Sequence, residues 1–111
     1  MGYNSENTLI LATEMQAGNN KRMLLLHKCE SGRLEYVIGS YFTTVAKLPN
    51  GEVHEDGSVI GTDGFASDSA FDAFWKRAVK EYSWDWGHYF GDVVSAVRYW
   101  EEEVIGEGSE R

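Results

Sequence analysis

The sequence predicts an α+β domain in which an N-terminal antiparallel β-meander of three or four strands has two C-terminal helices packed on one face. Apolar and β-branched runs dominate residues 8–46, apolar residues recur at helical spacing in the last third, and a glycine-rich acidic segment separates the two parts. Because each helix has one apolar stripe and the meander one apolar face, we expect both helices to cover the same side of the sheet.

The length predicts a single domain over residues 1–111. Hydrophobic residues make up 42% of the chain, which is too apolar for a disordered segment. The chain also has no apolar run that could span a bilayer and no signal-peptide pattern at its start, so we expect a folded cytoplasmic protein.

The strands are expected over residues 8–46. The runs TLILATEMQ and RMLLLHKCE flank AGNNK, whose Gly18, Asn19 and Asn20 favour a tight turn. A second turn at ESGR leads into LEYVIGSYFTTVA, which is rich in β-branched and aromatic residues, and Gly39 in this run predicts a bulge or a bend. Three consecutive strands joined by short turns predict an antiparallel meander.

Residues 48–66 are expected to form a long acidic loop. The stretch LPNGEVHEDGSVIGTDG contains the only proline of the chain, four glycines and four acidic residues. A short hairpin across HEDGS is the one regular element that we expect there. A loop of this length in a compact domain is functional or mobile.

Two helices are expected over residues 68–82 and 92–105. Ser67 or Asp68 can cap the first, and Asp92 can cap the second. Gly106 ends the second helix, and residues 106–111 are expected to fray. The apolar stripes predicted to be buried are Ala70, Phe71, Phe74, Trp75, Ala78, Val79 and Tyr82 in the first helix, and Val93, Ala96, Val97, Trp100 and Val104 in the second.

The stretch SWDWGHYFGD, residues 83–92, concentrates aromatic side chains between the two helices. If it is extended, it adds a short strand to the sheet, and Trp84, Trp86, His88 and Phe90 point to one face. We expect these rings to belong to the core, with Trp84 or Trp86 able to straddle core and surface. The alternative is an apolar anchor for a protein partner. Base stacking is disfavoured because Asp85 and Asp92 are nearer than any upstream lysine or arginine.

The net charge of −8 is unevenly distributed. Residues 1–47 have five basic and four acidic side chains, whereas residues 48–111 have five basic and fourteen acidic ones. Two explanations stay open: the charge keeps a small protein soluble, or it faces a basic partner. A nucleic acid is a poor direct partner because like charges repel. The acidic residues expected to bind the partner are Glu52, Glu55, Asp56, Asp63, Asp68 and Asp72.

Two stretches resemble a known class of proteins. LLLHKCESGRLEYVIGSYF followed by SWDWGHYFGDVVSAVRYW is similar in hydrophobic and aromatic pattern to small orphan proteins of phages and integrated mobile elements. Some of those are acidic inhibitors of host defence nucleases, including anti-CRISPR proteins. The resemblance implies an inhibitor acting in the cytoplasm of a bacterial host, and no functional residue is transferred from it.

Catalytic and metal motifs are absent from the sequence. Cys29 is the only cysteine, which excludes an internal disulfide and a multi-thiolate zinc site. His27 lies two positions away on the same predicted strand, about 7 Å apart at the backbone, and an inert thiol is expected. His54, near Glu55, Asp56 and Asp63, lacks the alternating ligands of a calcium loop. We therefore expect no enzyme, no cofactor and no metal.

Three functional hypotheses follow from these observations. The first is a small non-catalytic protein that occupies a basic site on a larger protein, including a nucleic-acid-binding groove. The second is a structural accessory or self-associating domain that uses a sheet edge or a helix face. The third is a small enzyme using Cys29 or His54. The sequence leaves the oligomeric state open.

Overall fold

The computed structural model describes residues 2–106. It is mostly β, with 46% strand and 26% helix, and its strands form two sheets, one of five strands and one of four. The prediction of a single meander of three or four strands with both helices on one face is therefore wrong. The chain forms two compact units, each containing one of the two sheets.

The four-stranded unit comprises Asn7–Phe42 and residues 83–106. Its strand order is β2-β3-β4-β9, and every neighbouring pair is antiparallel. The predicted meander is present here as β2, β3 and β4, and the aromatic stretch adds the expected strand β9. The strands are β2 (Thr8–Gln16), β3 (Asn20–Lys28), β4 (Leu34–Ser40) and β9 (Trp86–Phe90).

The turn between β2 and β3 confirms the prediction from AGNNK. Ala17–Asn19 form a tight turn in which Gly18 has φ 72° and Asn19 has φ 60°. Positive φ is accessible to glycine and, among the other residues, most readily to asparagine. The turn therefore places β2 and β3 side by side over their whole length.

One face of this sheet is covered by the C-terminal helix. Helix α2 (Val93–Tyr99) contacts β4 and β9 and continues as a π-helical segment, Trp100–Ile105. The predicted range of 92–105 is thus close to the observed one, and Asp92 is the N-cap as expected. Of the predicted stripe, Val93 and Val97 are partly exposed. The buried cluster consists of Leu24, Ile38, Ala96, Trp100 and Val104.

The five-stranded unit comprises residues 2–6 and Thr43–Tyr82. Its strand order is β1-β8-β5-β6-β7, and it contains helix α1 (Asp68–Arg77). The hairpin expected across HEDGS is present, because β6 and β7 pair antiparallel around it. The strands are β1 (Tyr3–Asn4), β5 (Thr43–Leu48), β6 (Gly51–His54), β7 (Val59–Ile60) and β8 (Lys80–Ser83).

The run LEYVIGSYFTTVA supplies strands to both sheets, which corrects the prediction of one bent strand. It divides into β4 and β5 at Ser40–Phe42, and Tyr41 between them has φ 55°. A left-handed residue cannot continue an extended strand, so the chain leaves one sheet and enters the other. The sequence predicted a bulge or a bend at Gly39. The break in fact falls two residues later, at Tyr41.

The first helix is shorter than the predicted 68–82. Ser67 caps it as expected, but it ends at Arg77, because Ala78 already has extended φ and ψ of −73° and 148°. The chain then forms β8, which pairs with β1 at the register Tyr3↔Tyr82. The N-terminal residues supply the partner strand, which the helical spacing of Val79 and Tyr82 did not reveal. Fraying was predicted for residues 106–111. Gly106 instead has helical φ and ψ and donates its N–H to Glu101 O, and residues 107–111 lie outside the described residues.

None of the helices in residues 2–106 has the length and apolar character needed to cross a lipid bilayer.

Candidate functional site

The acidic residues expected to bind a partner all lie in the five-stranded unit. We call residues 55–72 the acidic segment. It runs from the β6–β7 turn to the second turn of α1 and contains Glu55, Asp56, Asp63, Asp68 and Asp72, with no lysine or arginine among them. All five side chains are exposed.

The turn at the start of the acidic segment is tightly hydrogen-bonded. The backbone N–H of His54 donates to Ser58 O at 2.8 Å, and that of Gly57 donates to His54 O at 2.9 Å. Asp56 Oδ1 accepts from the backbone N–H of Ser58 at 2.9 Å and from its hydroxyl at 2.7 Å. These hydrogen bonds hold the pKa of Asp56 below its ordinary value, so its carboxylate stays ionised.

Glu52, which precedes the acidic segment, differs from the other five. It is half-buried on β6, and its Oε1 lies 3.4 Å from Lys47 Nζ across the β5–β6 pair. Its Oε2 lies 3.1 Å from His54 Nε2. Because the chain's own lysine already faces this carboxylate, Glu52 has less charge to offer a partner than the exposed acids.

The C-terminal end of the acidic segment is fixed by aromatic contacts. The ring of Phe65 lies 5.5 Å from that of Phe71 and 5.2 Å from that of Phe74, between ring centroids. Such contacts orient the rings and anchor the loop to α1. Asp63 therefore lies two residues before the anchored ring of Phe65. Asp68 lies in the first turn of α1, where the helix dipole favours a negative charge.

The other predicted site residues, Trp84 and Trp86, lie in the four-stranded unit, and the structure separates their roles. The Trp84 ring is half-buried and stacks on Phe42 with 6.0 Å between ring centroids. Its Nε1 donates to the hydroxyl of Tyr89 at 3.2 Å. Trp84 is therefore part of the packing of this unit rather than a free anchor.

Trp86 is 68% exposed at the start of β9. His88 on the same strand is also exposed, so the prediction that these rings belong to the core is wrong for Trp86 and His88. Tyr89, which the alternation placed on the opposite face, is 54% exposed. The reason is that β9 is an edge strand of the sheet formed by the described residues, and α2 reaches only part of it. His88 and Phe90 do meet the helix, with ring centroids 4.6 Å and 5.6 Å from Tyr99.

The sequence reasoning did not identify an exposed apolar surface on β2. This strand is the opposite edge of the four-stranded sheet in the described part of the chain. The signal was the unbroken apolar run LIL, which departs from the alternation of a half-buried strand. The exposed apolar side chains of β2 are Leu9 (62%), Ile10 (41%), Leu11 (47%) and Met15 (60%).

The residues considered for catalysis lie in different units. His54 lies beside Glu52 in the five-stranded unit. Cys29 is half-buried in the four-stranded unit, and its Sγ lies within 4.8 Å of one ligand atom each of His27 and Glu35. Sequence reasoning paired Cys29 with His27 but missed Glu35, because Glu35 reaches the other two only through the β3–β4 register.

The acidic segment, the exposed Trp86 and the apolar β2 edge are the surfaces from which a function can be argued. Comparisons of the chain with protein-family models, with curated proteins and with solved structures give no match.

Proposed function

We propose that this chain is a non-catalytic binding protein whose acidic segment occupies a basic site on a larger protein. The observation behind the proposal is the exposure of five carboxylates along residues 55–72, with no lysine or arginine between them. Carboxylates spaced along an anchored segment attract a basic partner over a distance of about a Debye length, roughly 8–10 Å, and raise the association rate.

The anchoring of the segment favours binding over a purely solubilising role. Asp56 is hydrogen-bonded within its turn, and Phe65 is fixed against α1. Ordering these groups in the free protein lowers the conformational entropy lost on binding. Solubility requires only charge, and a disordered acidic loop would supply it equally well.

The partner that we propose is a host defence nuclease, and its basic nucleic-acid-binding groove is the site that spaced carboxylates would occupy. A groove that binds phosphates presents arginine and lysine side chains, which also pair with carboxylates. The resemblance to small mobile-element proteins supports this choice of partner. The protein would then act in the bacterial cytoplasm as an anti-CRISPR-like inhibitor.

The test is inhibition of target-DNA cleavage by purified CRISPR nucleases of several types. We expect the wild-type chain to inhibit at least one of them, and inhibition to weaken as salt is raised. The variant Asp63→Asn, Asp68→Asn, Asp72→Asn should lose most of this inhibition. The matched control Glu101→Gln, Glu102→Gln, Glu103→Gln removes the same number of exposed charges from the four-stranded unit and should still inhibit.

Two outcomes would contradict the proposal at different levels. If no nuclease is inhibited, the choice of a defence nuclease as partner is wrong. If a nuclease is inhibited equally by the wild-type chain and the asparagine variant, binding does not depend on the acidic segment.

A second candidate function, self-association, is favoured by the exposed β2 edge. Edge strands present backbone donors and acceptors to a second chain, and long apolar edges promote pairing. A dimer paired through β2 would be insensitive to salt, and Leu9→Lys with Met15→Lys should make it monomeric in sedimentation velocity. Val94→Lys, which replaces an equally exposed apolar side chain on α2 and leaves β2 unchanged, is the control. A wild-type chain that sediments as a monomer at all concentrations excludes this function.

A further inference from the structure

We propose that His27, Cys29 and Glu35 form a binding site for one divalent transition-metal ion of the zinc class. One ligand atom from each of these residues lies within 4.8 Å of the other two. In tetrahedral zinc sites the metal–ligand distances of about 2.0–2.3 Å place ligand atoms about 3.3–3.7 Å from one another. The ligand atoms would therefore have to approach one another by at most about 1.5 Å to close around a metal ion.

The β3–β4 hairpin places the three residues on one face of the four-stranded sheet. His27 and Cys29 are two positions apart, so their side chains project in the same direction. Glu35 is directly opposite His27 in the register of β3 and β4. The turn that joins the strands is closed by Cys29 N–H donating to Arg33 O at 2.8 Å and Gly32 N–H donating to Cys29 O at 2.9 Å.

The hydrogen bonds around His27 orient its ring for metal binding. The Thr8 hydroxyl donates its one proton to Asn7 Oδ1 at 2.6 Å, and Thr8 Oγ1 lies 3.0 Å from His27 Nδ1. Since that proton is already used, Nδ1–H must be the donor to Thr8. With Nδ1 engaged by Thr8, Nε2 is the ring nitrogen that would bind the metal ion. A histidine held through one ring nitrogen so that the other can bind metal is the usual arrangement in metal sites.

The chemistry of the donor set favours zinc, or cobalt as its spectroscopic substitute, over calcium or magnesium. Imidazole nitrogen and thiolate sulfur are ligands of the zinc class, whereas calcium and magnesium prefer oxygen. A bound dication would neutralise a thiolate and a carboxylate together. It would also displace the contact that Arg33 Nη2 makes with Cys29 Sγ at 3.9 Å. Three protein ligands leave the fourth tetrahedral position for water or for a ligand from outside the chain.

The test is a titration of the full chain, without a histidine tag, with Co²⁺ monitored by absorption. We expect one Co²⁺ per chain, with a sulfur-to-cobalt charge-transfer band in the near ultraviolet and intense visible bands typical of tetrahedral cobalt. Zn²⁺ in excess should abolish these bands. Cys29→Ser should remove the charge-transfer band, and Glu35→Gln should weaken Co²⁺ binding by at least about tenfold, since even outer-shell partners change affinity by about 10–100-fold.

Replacing Cys29 or Glu35 distinguishes loss of metal binding from loss of the fold. His27 is only 9% exposed and its replacement can unfold the chain, whereas Cys29 and Glu35 are half-buried. The control is His54→Gln, which removes the other histidine that lies beside a carboxylate and should leave the cobalt spectrum unchanged. The proposal is overturned if wild-type chain gives no charge-transfer band, if Cys29→Ser keeps it, or if Glu35→Gln binds Co²⁺ as tightly as wild type.

Discussion

The indole of Trp84 lies directly on the backbone of Gly39, so close that a Cβ at Gly39 would be 2.7 Å from Trp84 Cγ. Gly39 pairs with Gly87 across β4 and β9, and a Cβ at Gly87 would be 2.6 Å from Trp84 Nε1. Two facing glycines thus leave the space that the indole fills. Glycine is required at both positions because any side chain there would occupy the space of the indole, not because the backbone has a positive φ.

Gly39→Ala is therefore expected to destabilise the chain by about 1–3 kcal/mol, because the added methyl group forces the indole to shift in a packed unit. The measurement is the free energy of unfolding from urea denaturation. Gly91→Ala is the control, since a Cβ there meets nothing within 4 Å and the change should be nearly neutral. Equal stability of the two variants would show that Trp84 is not held against Gly39.

Truncation of Trp84 should lower the stability of the chain far more than truncation of Trp86. Trp84→Ala removes a ring that stacks on Phe42, and we expect a loss of about 2–3 kcal/mol. Trp86→Ala removes a ring that is 68% exposed, and the change should stay within about 0.5 kcal/mol. Urea denaturation measures both. A large loss for Trp86→Ala would mean that this ring is covered, for example by a second copy of the chain.

Phe65 is expected to be the anchor that orders the end of the acidic segment. Phe65→Ala removes ring contacts to Phe71 and Phe74 and should cost about 2 kcal/mol. Ile60→Ala is the control, because Ile60 is 59% exposed and the change should be nearly neutral. Hydrogen exchange of residues 61–67 should accelerate in Phe65→Ala only. Unchanged exchange would contradict the anchoring role.

The cap of α2 should make the stability of the chain depend on acid pH. Asp92 Oδ2 accepts from the backbone N–H of Ser95 at 2.9 Å, and Oδ1 accepts from its hydroxyl at 3.0 Å. These bonds, led by the backbone one, hold the pKa of Asp92 below its ordinary value of 3.8. The cap therefore stabilises the fold above the ordinary pKa, and this contribution is lost as the pH falls through the lowered pKa.

Asp92→Ala should accordingly have a lower urea midpoint than wild type at about pH 7, and the difference should shrink towards about pH 2. Asp85→Ala removes an exposed carboxylate that caps no helix and should show no such pH-dependent difference. A difference for Asp92→Ala that stays constant with pH would show that the charge of the cap contributes nothing.

Local features of the fold could be predicted from the sequence, whereas the division into two sheets could not. Gly18 and Asn19 fixed the first hairpin, and Ser67 and Asp92 marked the helix starts, because each acts on neighbouring backbone. Tyr41 gave no such signal, since its positive φ is set by tertiary context. The pairing of β1 with β8 joins residues far apart in the chain and produces no periodic pattern in the sequence.

The candidate surfaces follow the same division. The exposure of Asp63, Asp68 and Asp72 was expected from their charge, while the pairing of Glu52 with Lys47 depends on the β5–β6 register. Trp86 was expected either in the core or straddling core and surface, because hydrophobicity indicates burial in general, and its exposure follows from the edge position of β9. Glu35 lies beside His27 only because β3 and β4 pair in a register that the sequence does not reveal.

The interleaved connectivity of the two units has a consequence for biosynthesis. The strands β4 and β9 are neighbours in one sheet, yet all of Thr43–Tyr82, which belongs to the other unit, is translated between them. The backbone edge of β4 stays unpaired on the ribosome until Phe90 emerges, and Ile38 stays uncovered until Ala96 and Trp100 of the C-terminal helix follow. Neither unit can be produced by a single truncation, because each is built from two segments that the other unit's residues separate in the sequence.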